Sequence, residues 1–205
     1  MVLPWPIEEG MQPLVTAAGG PARTPRGLPI SQLLPVFVPA ACAGTARCPG
    51  PYSALEAHGI VLTWAVLLSS GEIRPLTSAA GQAWDVQGID WKARALQNLR
   101  ELSPPPFATG ALLRDDGDTW LISLQYPDGL AASRLLFDDE IARLFPAGYR
   151  VALPESNRAF AFARDLDRED IDTVQSLVRR SYSASARPLS PEIFAPEDLR
   201  PARVS

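Results

Sequence analysis

The sequence predicts a single-domain α+β protein, with a mixed or antiparallel sheet, helices packed on it and an irregular Pro-rich N-terminal arm. Three observations carry that reading. An apolar run, Gly59 to Leu68, has the length and composition of a strand buried on both faces. Two strand-like stretches flank Asp115-Asp116-Gly117-Asp118, an Asp-Gly hairpin signal. Between and after them lie two segments with apolar residues at helical spacing and an acidic cap in front.

Taken in order, residues 1–32 form a Pro/Gly-rich arm, 33–183 the α+β domain and 184–205 a Pro-rich C-terminal tail. The arm shows no sustained period, and its prolines remove backbone donors and fix φ, which predicts irregular chain. Leu33 to Val38 reads as a first strand, placed at a sheet edge by Pro35. After an irregular stretch from Pro39 to Ser53 comes the buried strand, a turn at Ser69-Ser70-Gly71 and a short strand to Leu76. Thr77 is set to cap a helix through Trp84, and Asp90 to cap one from Trp91 to Leu102. The apolar positions Trp91, Ala95, Leu99 and Leu102 share one face of that helix, and Pro104–Pro106 stops it.

The hairpin follows, from Ala111 to Tyr126. Leu130 to Leu144 reads as a helical stretch in which Asp138, Asp139 and Glu140 mark a fresh start. Tyr149–Leu153 and Arg158–Ala163 are two further strands. Asp165 or Asp167 caps a last helix, whose apolar face is Ile171, Val174, Leu177 and Val178. From Ser185 onward the chain returns to coil.

Apolar residues at 46% and charged residues at 20% suit a globular core rather than disorder. A net charge of −4, with arginines scattered singly, speaks against nucleic acid as a partner, because phosphate binding needs a basic face. The longest apolar run is about half of what a membrane helix needs, so no membrane partner is expected, and the amino terminus has no basic start of a secretory signal. These features predict a cytoplasmic protein. There Cys42 and Cys48, separated by Ala43 to Arg47, are expected to stay as two reduced thiols, with a local disulfide as the alternative.

The residue types that carry chemistry are few. His58 is the only histidine, and Glu56-Ala57-His58-Gly59 matches no nucleophile motif. With one histidine and one cysteine pair, no zinc or iron ligand set is expected. Asp115 to Asp118 fail the spacing of a calcium loop and are explained by turn chemistry. The acids at 138–140 and 165–172 sit where helix amino ends favour them. No GxGxxG, GxxxxGK[ST] or GxSxG motif occurs. The expectation is therefore no cofactor, no metal and no catalytic residue. Trp64 and Trp91 read as core, and Trp5 in the arm as a docking side chain.

The chain resembles the YtpQ-like family, a bacterial family classed as a domain of unknown function. The resemblance rests on Leu34-Pro35-Val36, Gly59 to Leu68 with Leu76-Thr77, and Trp84-Asp85-Val86 leading to Ala95-Leu96-Gln97-Asn98-Leu99. It continues through Asp128-Gly129 with Ala132-Ser133-Arg134-Leu135-Leu136 and through Gly148 to Pro154, so that it spans residues 33–180. The family's pattern sets a Ser-Arg-like pair close after Pro154, where this chain has Glu155-Ser156-Asn157-Arg158, and the long amino-terminal arm lies outside it. What the resemblance implies is a fold and a cytoplasmic setting, with no activity.

The function expected from the sequence is that of a non-enzymatic protein-interaction module (an adaptor, immunity-like or regulatory protein) that meets a protein partner or self-associates. Asn98, Ser133 and Arg158 are the candidate binding residues, on the condition that they share one exposed concave face. Two alternatives make different demands. A carboxylate-based hydrolase or transferase, with or without a metal, requires Asp128, Asp138 and Asp139 to converge. A small-molecule sensor requires a pocket lined by Trp64, Trp84 or Trp120.

Overall fold

In the computed structural model, which describes residues 29–68, 72–103, 105–115 and 117–201, the run Ile60–Leu67 is the central strand (β3) of the first of two antiparallel sheets. Every side chain from Ile60 to Val66 is buried, which explains why the sequence there shows no polar alternation. β1 (Leu33–Pro39) pairs with one side of β3, β2 (Tyr52–Ala54) with the other, and β4 (Ile73–Pro75) with its carboxyl end. β1 is an edge strand, the position in which Pro35 costs no ladder hydrogen bond. Gly50 lies so close to the chain at Leu76 that a Cβ would stand 1.7 Å from the Leu76 carbonyl oxygen.

Two helices follow, each capped as the sequence predicts. The Thr77 hydroxyl accepts the Ala80 N–H at the start of α1 (Ser78–Val86). The Asp90 carboxylate accepts the Ala93 N–H at the start of α2 (Trp91–Glu101). α2 packs on β1, and Trp91 meets Trp64 edge to face at 4.9 Å between ring centroids. The Trp91 indole N–H is satisfied by Asp85 at 2.7 Å.

The second sheet has the order β5-β6-β8-β7-β9: β5 (Gly110–Leu113), β6 (Thr119–Gln125), β8 (Arg158–Ala163), β7 (Tyr149–Glu155) and β9 (Ile193–Phe194). All pairings within it are antiparallel, so the sheet expected from sequence is antiparallel rather than mixed, and it is divided in two. α4 (Arg168–Ala184) starts at Asp167, whose carboxylate accepts the Asp170 N–H at 2.9 Å, and it packs on β7 through Val174 and Val178.

Two expectations are corrected. The stretch 130–144 is not one helix: a 3-10 helix, Ala132–Leu136, is broken at Phe137 and followed by α3 (Asp138–Ala142). The first piece runs between the sheets, in contact with β1, β7 and β8. Residues 184–205 are also no coil tail in their described part. β9 pairs with β7, Leu189, Phe194 and Leu199 are buried, and Pro201 bridges back to Leu55. One apolar core, from Leu33 to Leu199, therefore serves both sheets. The amino-terminal arm up to residue 28, with Trp5, and the turn 69–71 lie outside the described residues.

Inside that core sits a whole arginine. Arg134, on the 3-10 helix, is 1% exposed. Its Nη1 and Nη2 donate to the two oxygens of Asp128 at 3.1 and 2.8 Å, and its Nε donates to Ser103 Oγ at 2.8 Å. The face of the guanidinium lies 3.6 Å from the centroid of the Tyr126 ring, and the Tyr126 hydroxyl donates to the Phe107 carbonyl. Gly129 (φ +77°) lets the chain reverse between Asp128 and the helix, and Asp128 also accepts the Leu130 N–H at 2.9 Å. Removing one partner strands a buried charge, so Asp128→Asn is expected to cost about 3 kcal/mol in urea unfolding, the low end of the usual range because Asp128 is a third exposed. The double variant Asp128→Leu/Arg134→Met is expected to lose less than the sum of its two single variants.

A second clamp holds the carboxyl end. Asp138 accepts from the Tyr149 hydroxyl and from the Arg200 guanidinium. Burial pushes its carboxyl up, but the two hydrogen bonds and the Arg200 charge outweigh burial and hold it below its ordinary value. Tyr149 is pushed well up, first by burial and then by Asp138. With its folded value below its unfolded value, Asp138 stabilises the fold above about pH 4, and that stabilisation is lost as pH falls through the folded value. Arg200→Gln is therefore expected to have a lower Tm than the parent at pH 7. The gap should close below about pH 4, measured by thermal unfolding across pH.

Candidate functional site

The three residues singled out by sequence do not share a face. Asn98 is 3% exposed, and its amide donates to the carbonyls of Ile30 and Leu33, both at 2.8 Å, so it fastens the start of β1 to α2. Ser133 is 1% exposed on the 3-10 helix, with no hydrogen-bond partner for its hydroxyl. Neither can touch a partner in this fold. Their burial is a correction with a legible signal for Asn98, since position 98 falls on the stripe of Trp91, Ala95 and Leu99.

Arg158 is different. It opens β8, directly across the hairpin from Glu155, and its guanidinium reaches the surface beside the carboxyl half of α4. There Glu155, Arg158, Leu177, Arg180, Ser181 and Ala184 line a cleft of about 230 Å³. Arg158 Nη1 donates to Ser181 Oγ at 3.4 Å, and Nε stands 3.7 Å from Glu155, so both contacts are long. Glu155 is held more firmly from the other side, accepting from Ser185 Oγ at 2.8 Å. Leu177 supplies an apolar wall. Arg180 is exposed at the rim and has no ion-pair partner among the described residues. Its place beside Arg158 at the cleft is a tertiary fact that the local sequence does not signal.

The acids that an enzymatic site would need are engaged elsewhere. Asp128 serves Arg134, Asp138 serves Tyr149 and Arg200, Glu140 pairs with Arg100 at 3.0 Å, and Asp165 with Arg114 at 3.1 Å. Asp167 is a helix cap. Among the described residues no three His, Cys, Asp or Glu side chains gather as a metal-holding group, and Asp128, Asp138 and Asp139 do not converge. The tryptophans named for a sensor pocket pack instead: Trp64 and Trp84 both contact Trp91, and Lys92 lies 5.3 Å from the Trp64 and Trp91 ring centres, while Trp120 belongs to the other sheet. His58 is exposed. No helix of the described residues is long and apolar enough to cross a membrane.

Compared with known proteins, the chain matches no family model, no curated protein and no solved structure.

Proposed function

We propose that the protein is a non-enzymatic interaction module, and that the cleft between the β7–β8 turn and α4 docks an acidic segment of a partner protein. The observation that carries this reading is the pair of arginines, Arg158 and Arg180, facing one small cleft with an apolar wall. A guanidinium offers a planar fork that matches a carboxylate in two parallel hydrogen bonds. Arg158 is loosely held, so a carboxylate can replace its long contacts with short ones. Arg180 brings a charge that the fold leaves uncommitted. Leu177 then offers a contact to an apolar residue next to the acid in the partner. The resemblance to the YtpQ-like family adds no activity to this reading.

Selection of a displayed random-peptide library on the full chain tests it. Peptides enriched in Asp and Glu beside an apolar residue are expected, with binding weakened about tenfold or more by Arg180→Glu and weakened by salt. Enrichment without acidic residues, or acidic binding indifferent to Arg180→Glu, contradicts the proposal.

A further inference from the structure

We infer that Cys42 and Cys48 are a modification site: a thiol pair arranged to close into an intrachain disulfide by exchange with a low-molecular-weight disulfide. This inference is independent of the docking cleft. The 3-10 helix Ala40–Cys42 ends β1's connection, the chain reverses through Gly44 (φ +73°), and Cys48 returns as the bridge partner of Ala43. The loop is tied from both sides: Gly44 N–H donates to the Cys48 carbonyl at 3.1 Å, and the Thr45 N–H and hydroxyl donate to the Cys42 carbonyl at 3.2 and 2.7 Å. Bridged chains run about 4.8 Å apart, and disulfides span Cα separations of about 4.4–6.8 Å. Cys42 adjoins the bridged residue, and closure asks the loop of small residues Ala43 to Ala46 to bring the two thiols onto one side. Both thiols are partly exposed and free, hence open to a reagent. Burial, and after it the charge of Cys42, pushes the Cys48 thiol up.

The chemistry balances with oxidised glutathione as co-reactant. The Cys42 thiolate attacks one glutathione sulfur, forming a mixed disulfide and releasing one glutathione thiolate. The Cys48 thiolate then attacks the Cys42 sulfur, forms the protein disulfide and expels the second glutathione thiolate. The two electrons lost by the pair reduce the one disulfide to two thiols, which take up the two protons. The closed ring fixes the loop whose Pro49 carbonyl accepts the Ser78 hydroxyl at 3.1 Å, and so stiffens the seat of α1 on the first sheet.

The full chain is treated with oxidised glutathione, quenched with an alkylating agent and weighed intact. The expected result is a loss of two hydrogen masses with no retained glutathione and no alkylation. A Tm increase of a few degrees is expected to accompany it. Trypsin, cutting after the exposed Arg47 inside the ring, is expected to leave the two peptides joined until a reductant is added. In Cys48→Ser the reaction is expected to stop at a single stable glutathione adduct. A parent chain that keeps its glutathione adducts, forms covalent dimers, or stays fully alkylated overturns the inference.

Discussion

The buried guanidinium of Arg134 is the constraint on which the rest of the structure turns. A charge taken out of water is tolerated only with its partners in place, and those partners come from two separate parts of the chain. Asp128 and Tyr126 follow β6, Ser103 follows α2, and the arginine itself lies on a 3-10 helix that runs between the two sheets. Forming the site thus requires the first sheet's helix and the second sheet's central strands to be docked together. The break at Phe137 separates the turn that carries the buried arginine from the acids that open α3.

The carboxyl end obeys a second condition of the same kind. Asp138, on α3, is satisfied only when the Tyr149 hydroxyl of β7 and the Arg200 side chain arrive together. That clamp, with β9 against β7, turns a segment of proline-rich composition into the outermost layer of the second sheet. Several acids are used in this way, Asp90 and Asp167 as caps and Asp128, Asp138, Glu140 and Asp165 as counter-charges, and among the described residues no three gather as a metal-holding group.

Much of this fold was legible in the sequence where local rules are strong. The caps Thr77 and Asp90, the buried run of β3, the edge position of Pro35 and the hairpin after Gly110 follow from spacing and turn chemistry alone, whereas between Asp165 and Asp167 only the structure decides for Asp167 as the last cap. What was not legible depends on long-range pairing. The role of Arg134 needs Ser103, an unremarkable residue after a helix, and a helical arginine reads by default as solvated. The strand at Ile193 is too short to leave a period, and only β7 beside it makes it a strand. For the candidate site the sequence offered Arg158, but not its neighbour Arg180. Asn98 and Ser133 went the other way, since polar residues in short familiar stretches suggest contact while the apolar stripes around them dictate burial.

The central claim is that the arginine site opens only when the whole fold opens. Hydrogen exchange of the Arg134 Nε–H, followed by NMR together with the amides of β6, β7 and β8, tests this most directly. The account predicts that the Arg134 proton exchanges with the same opening free energy as the slowest strand amides and shares their denaturant dependence. Exchange of that proton through a local, denaturant-insensitive opening, while the strands stay protected, would contradict it.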